Sequence, residues 1–165
     1  MKSKATKLTV SAEFEVYKSA DDLSAKDSEL LKAAQKAVKS AYAPYSNFRV
    51  GAAVLLENGK ILIGNNQENA AYPSGLCAER VACVHAGSKY PGVPVIALAC
   101  AVKAHNQVIN DPVTPCGACR QAIAEYETRY ETPIRIIMTG ETGRVFVTKS
   151  IESLLPLMFN RKYLK

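Results

Sequence analysis

Cys77-Ala78-Glu79-Arg80 and Pro115-Cys116-Gly117-Ala118-Cys119-Arg120 are the two runs around which this chain is organised. Together they supply three thiols, one carboxylate and two arginines. Cys116 and Cys119 are three apart, so on one helical turn their sulfurs point to the same side and span an edge of a tetrahedral metal. Cys77 then has to come from the start of a neighbouring helix. Exposed N–H groups and the macrodipole at a helix N-terminus favour the thiolate, so two helices aimed at one ion form a coherent site. Zinc is the ion that suits this donor set.

Three cysteines leave the fourth tetrahedral position open, which distinguishes a catalytic from a structural zinc site. His85 lies two turns along its helix from Cys77, and His105 reads as a loop residue after a strand, so water is expected in that position. Three thiolates outweigh the charge of the dication and oppose ionisation of a bound water, so compensating positive charge is needed nearby. Arg80 and Arg120 each directly follow a motif, and either can donate to a ligating sulfur. Glu79 stands two residues beyond Cys77 and does not share its direction. It is placed beside the metal as a proton shuttle.

Outward from these runs the pattern is that of an α/β layered domain on a mixed sheet. Residues Leu8 to Tyr17 alternate as a half-buried strand does, with Leu8, Val10, Ala12, Phe14 and Val16 on one side. Ser24 is a plausible N-cap for a helix that Pro44 ends near Ala43. Phe48 to Leu56 and Ile61 to Ile63 flank Asn58-Gly59, a hairpin signal of the type I′ class. Residues Gly64 to Leu76 read as a long functional loop. A helix from Cys77 to about Ala86, stopping before Gly87, leads to a buried strand over Val93 to Val102. The second motif opens a helix from Cys116 to about Tyr130. Ile134 to Met138 follows as a strand parallel to the previous one, since a helix connects them. Val145 to Val147 and a short helix from about Ile151 to Leu157 complete the pattern.

The 165 residues, 48% of them hydrophobic, fit one domain with a sizeable core. No run is long and apolar enough to span a membrane, and Glu13 and Glu15 interrupt any secretory core, so a cytoplasmic protein is expected. Five cysteines without a secretion signal predict reduced thiols. The net charge of +6 is concentrated near the two ends, at Lys2, Lys4, Lys7, Arg161, Lys162 and Lys165, where it confers solubility. No basic run is interleaved with aromatics, so neither nucleic acid nor a membrane is the expected partner.

The chain resembles the small, homotetrameric class of zinc-dependent cytidine deaminases, whose signature pairs a Cys-x-Glu with a later Pro-Cys-x-x-Cys. The likeness extends through Ala43-Pro44-Tyr45-Ser46-Asn47-Phe48-Arg49-Val50-Gly51-Ala52-Ala53, Asn66-Gln67-Glu68-Asn69-Ala70-Ala71-Tyr72 and Leu154-Leu155-Pro156-Leu157-Met158-Phe159. It implies a three-layer α/β/α fold around a mixed, mostly five-stranded sheet, to which residues 8–17 add an extra N-terminal strand. The expected divisions are an extension over 1–25, a deaminase domain over 26–159 and a basic tail over 160–165.

The resemblance further implies one zinc ion per subunit, held by Cys77, Cys116 and Cys119, with Arg80 bonded to ligand sulfurs. Glu79 would move a proton between the water, ring N3 and the departing amine. Phe48 would pack on the pyrimidine, Asn66 and Glu68 would hold the ribose hydroxyls, and Ala78 would complete the nucleoside site. Tyr72 and Phe159 would reach it across subunit boundaries in a homotetramer. The implied reaction is hydrolytic deamination of cytidine and deoxycytidine in pyrimidine salvage. Other readings stay open at this level: a deaminase of a modified nucleoside or of cytosine within nucleic acid, or a non-catalytic zinc-stabilised binding module. Asn66 and Glu68, as partners for a diol, favour a free sugar.

Overall fold

In the computed structural model, which describes residues 5–164, the apolar runs become a six-stranded mixed sheet. Its strands are β1 (Glu15–Tyr17), β2 (Phe48–Leu56), β3 (Ile61–Asn65), β4 (Val95–Ala104), β5 (Arg135–Thr139) and β6 (Val145–Thr148), in the order β1-β6-β5-β4-β2-β3. Only β4 and β5 pair in parallel, as the helical connection between them requires. Helix α1 (Ala25–Val38) covers one face, where Leu30, Leu31 and Ala34 meet Ala53, Leu55, Ala99 and Ile137. Helices α2 (Ala78–Lys89) and α3 (Gly117–Tyr130) cover the other, where Ala82, Ala86 and Ile123 meet Val54, Leu98 and Met138. The expected three layers and the extra N-terminal strand are both present. No described helix is long and apolar enough to cross a membrane, and all five cysteines are free.

Two glycines let helices rest directly on the sheet. A Cβ on Gly51 would collide with the main chain of α1 at Ala34 and Val38, and one on Gly64 would lie 2.6 Å from Ala78 O, at the start of α2. Because α2 begins at Ala78, the seat at Gly64 also fixes where Cys77 and Glu79 stand.

Several local expectations are corrected. The alternating segment at 8–17 is a strand only over Glu15–Tyr17, which pair with Val147 to Val145, because in this register the residues before Phe14 run past the end of β6 at Thr148. Leu8 and Val10 are exposed, and so is Val16, while Glu15 and Tyr17 turn partly inward. Phe14 packs on Phe146 with ring centroids 6.2 Å apart. Helix α1 stops at Val38 instead of near Ala43. Tyr42 is drawn into an extended bridge with Gln67, donating to Asn66 O and accepting from Glu68 N, and this pairing overrides helical continuation.

The hairpin loop holds three residues, since Leu56 N donates to Lys60 O and Gly59 N to Leu56 O. Gly59 alone has a positive φ, at 80°, which fits a type I turn closed by a glycine bulge and not type I′. Helix α2 runs through Gly87 to Lys89. Gly87 is a contact point for α3, where a Cβ would lie 3.0 Å from the Tyr126 hydroxyl. The expected helix at 151–157 is a single turn, Ile151–Ser153, cut short before Pro156 and the left-handed Leu157.

Arg135 ties β1 to the rest. Its guanidinium donates to Glu15 Oε2 at 2.9 Å and to Asp27 Oδ2 of α1 at 3.2 Å. The Arg135 hydrogen bond, then that of Tyr17, holds the Glu15 carboxyl below its ordinary value of 4.5.

Two outcomes follow from this packing. Gly64→Ala has to displace α2 from the sheet and is expected to cost about 1–3 kcal/mol, read as a fall in melting temperature together with lowered metal content. Glu15→Gln lowers stability at pH 7 by about 1 kcal/mol or less, because the pair is partly exposed. The difference from the parent persists above the ordinary value of 4.5 and closes as pH falls through the depressed folded value. A gap that is unchanged across an acid titration would rule out the carboxylate as its source.

Candidate active site

Cys77 and Cys116 are the N-cap residues of α2 and α3, and neither side chain is spent on capping. Both thiols therefore point into the gap between the two helix ends, where the buried Cys119 of the first turn of α3 joins them. The three Sγ atoms lie within 4.8 Å of one another, with Cys77 to Cys116 at 3.8 Å and Cys116 to Cys119 at 3.4 Å. No other group of three potential ligands comes together among the described residues. His85 lies on the exposed side of α2 with Nδ1 3.3 Å from Ile63 O, and His105 is exposed beyond β4, so neither joins the thiols.

The thiols act on one another electrostatically. The neighbouring Cys119 thiol, opposed by burial and helped by Arg80, brings the Cys77 thiol down to about 5. Cys119, close to the Cys77 thiol and buried, is pushed up. Arg80 Nη2 lies 4.0 Å from Cys77 Sγ and donates to Gly75 O at 3.2 Å, while its Nε is buried without a hydrogen-bond partner. A guanidinium with an unspent buried donor beside three thiols is the charge complement that a three-thiolate zinc needs. The donor set fits zinc.

Arg120 serves elsewhere. It donates to Pro115 O at 2.7 Å, Leu154 O at 2.8 Å and Thr114 Oγ1 at 3.0 Å, so it fastens the loop before α3 to the C-terminal segment instead of reaching a sulfur.

Glu79, in the first turn of α2, is only 6% exposed. Burial raises its carboxyl above the usual range, the charge of Cys77 adds to this, and its own backbone N–H opposes it. A cavity of about 590 Å³ has Cys77, Glu79, Arg80 and Cys116 along one part of its lining and Phe48, Asn66 and Glu68 along another. Tyr45 and Tyr72 also line it, their rings tilted by 59° with centroids 6.0 Å apart.

Asn66 braces β2, donating to Phe48 O at 2.9 Å and accepting from Val50 N at 2.8 Å. Glu68 Oε2 accepts from Tyr45 N at 2.9 Å and Ser46 N at 3.2 Å, and Oε1 accepts from the Ser46 hydroxyl. Burial raises the Glu68 carboxyl, but these hydrogen bonds outweigh it and leave the group lowered.

Of the residues expected at the site, Phe48, Asn66, Glu68, Tyr72, Cys77, Glu79, Arg80 and Cys116 line one cavity. Cys119 sits behind it, and Ala78 is fully buried at the start of α2. Phe159 does not line the cavity of its own chain. It is 56% exposed and stacks on Tyr163 at 5.6 Å. Sequence reasoning missed Tyr45, Ser46, Cys100, Val102, Val113 and Thr114. Cys100 and Val102 lie in an unbroken apolar run that hides which face each takes, and Val113 and Thr114, in the loop before α3, carry no local signal.

Residues 24–131 match the model of the cytidine and deoxycytidylate deaminase zinc-binding region. The cytidine deaminase of Sporosarcina psychrophila is 41% identical over 134 residues, covering 81% of this chain and 91% of that protein. The crystal structure of cytidine deaminase from Burkholderia pseudomallei superposes with a TM-score of 0.69 at 40% identity, covering 79% of this chain and 97% of that one. Cytidine deaminase from Mycobacterium tuberculosis superposes with a TM-score of 0.64 at 33% identity, over 83% and 99%. With three thiols and a buried glutamate set as the motifs require, this chain belongs to the family of zinc-dependent cytidine and deoxycytidylate deaminases.

Proposed function

We propose that the chain converts cytidine and deoxycytidine to uridine and deoxyuridine by hydrolytic deamination, as a homotetramer in the cytoplasm serving pyrimidine salvage. The observation that carries this reading is a single cavity with a buried carboxyl and two of the three clustered thiols along one part, and along another an amide and a carboxyl held below its ordinary range. The catalytic domain spans 26–159, with 1–25 and 160–165 outside it.

When bound by Cys77, Cys116 and Cys119, zinc supplies a Lewis acid that lowers the pKa of water. Arg80 offsets the charge of the thiolates. Phe48 presents a ring face to the pyrimidine. Asn66 and Glu68 take the ribose hydroxyls, for an amide and a carboxylate each keep bonding capacity beyond the contacts they make to the main chain. Ala78, the first residue of α2, brings its main-chain N–H to the helix end that carries the thiols, where it would meet the base. Glu79 takes a proton from the attacking water as oxygen adds to C4 and delivers it to ring N3. It then carries the proton of the new C4 hydroxyl to the exocyclic amine, the C4–N bond breaks, and ammonia leaves while the oxygen remains on C4 as a carbonyl. The exposed ring of Phe159, outside the cavity of its own chain, is suited to completing the site of a neighbouring subunit, and that of Tyr72, exposed although it lines its own cavity, is open to contact from one.

Glu79→Gln is expected to keep about one zinc per chain and to lower deamination by at least 10²- to 10⁴-fold, followed by metal analysis and the loss of cytidine absorbance. Parent-like turnover in this variant would remove Glu79 from the chemistry, and loss of zinc would make it a ligand. A substrate panel tests the sugar end. The lowered carboxylate of Glu68 repels a nearby phosphate, so cytidine and deoxycytidine should be turned over and CMP or single-stranded DNA left intact. The reverse preference would overturn the nucleoside reading.

A further inference from the structure

On the opposite face of the sheet, a second cavity of about 580 Å³ opens where α1 ends at Val38. Arg49 and Lys103, both in its lining, are directly opposed across β2 and β4. Both belong to the α1 face, because Gly51, two residues beyond Arg49, packs under α1, and Ala101, two before Lys103, lies in the core of that face. Like charges set directly opposite each other destabilise a strand pair. Neither side chain forms an ion pair among the described residues, where the salt bridges use Arg135, Arg144 and Arg161.

Lys39 and His105 add two more basic side chains to the lining. The acid there, Glu141, accepts with Oε1 from Ala104 N at 3.2 Å and Ile109 N at 3.4 Å. The last carbonyls of α1, which would repel an anion, are already occupied. Lys36 O accepts from Lys39 N, Ala37 O from Ser40 N and the Asn65 amide, and Val38 O from Ala41 N. The lining therefore sets three cations, Lys39, Arg49 and Lys103, against one carboxylate, Glu141, and leaves an excess of positive charge.

We infer that this cavity binds a phosphate-bearing anion of nucleotide size, apart from the deaminase site. Its volume falls in the range of small-ligand pockets. An arginine fork paired with lysine ammonium groups is the donor set that recognises phosphate oxygens, and a bound anion would relieve the opposition of Arg49 and Lys103.

The test uses the full zinc-loaded protein and its Arg49→Gln, Lys103→Gln double variant, titrated calorimetrically with inorganic triphosphate and with ATP. The parent is expected to bind saturably, and more weakly as salt rises from about 50 to 200 mM. The variant should bind at least tenfold more weakly while keeping the parent's kcat/KM for cytidine. Equal affinity for triphosphate and ATP would make phosphate the whole ligand, whereas tighter binding of ATP would add the nucleoside part to what the cavity holds. Absence of saturable binding to the parent, or equal binding by the variant, overturns the inference. Without any anion the variant should melt at or above the temperature of the parent, because the repulsion is gone. A lower melting temperature would contradict the premise.

Discussion

Three thiols held within 4.8 Å of one another are unfavourable in either simple state. Fully ionised they repel, and fully protonated they leave weak donors crowded at two helix ends. A cation between them resolves both problems, and the rest of the architecture delivers the thiols to that point. Cys77 and Cys116 must each stand at a helix start, so α2 and α3 have to present their N-termini on the same face of the sheet. The parallel pairing of β4 and β5, with α3 connecting them, does this for Cys116 and Cys119. The hairpin of β2 and β3, followed by the loop from Asn66 to Leu76, does it for Cys77.

The placement of these helices rests on contacts that tolerate little change. Gly64 allows α2 to sit on β3 main chain to main chain, and Gly51 does the same for α1 on β2. On the other side of the site, Arg120 joins the loop of Thr114 and Pro115 to Leu154. Glu127 of α3 accepts from Ile134 N at 2.8 Å and Ile151 N at 3.1 Å. The C-terminal segment, which carries Phe159, is thus fastened to the helix that carries two of the thiols. An arginine beside a ligand motif need not serve the metal charge, and here the two arginines divide the work, Arg80 facing the thiols and Arg120 holding the scaffold.

Much of this was legible because the signals were local. Ser24 accepts from Asp27 N as a capping residue should, and the spacing of Cys116 and Cys119 translated directly into a shared helical turn. What failed depended on partners distant in sequence. Nothing near Val38 announces that Tyr42 will pair with Gln67 and end α1 early. Gly87 has the local character of a terminator, yet its role is to admit Tyr126. The period-two pattern at 8–17 was real, but a strand is only as long as the ladder offered to it, and in this register β6 ends at Thr148. At the site, an unbroken apolar run hides its own parity, so Cys100 and Val102 could be placed on the α2 face only once the sheet was in view.

That parity bears on how the two cavities relate. Cys100 lines the cavity that contains the thiols, Ala101 and Lys103 line the one under α1, and Val102 between them touches both. One strand in the middle of the sheet therefore forms the wall between a deaminase site on one side and a basic cavity on the other. Strand geometry sends the side chains of Cys100 and Lys103 to opposite faces, since successive residues alternate. Charge at Lys103 can change without moving a group that touches substrate, so the basic character of one face is not dictated by the chemistry of the other. The hydrophobic demands of β4 end at Val102, and the positive charge at Lys103 has to find its explanation in what that face meets.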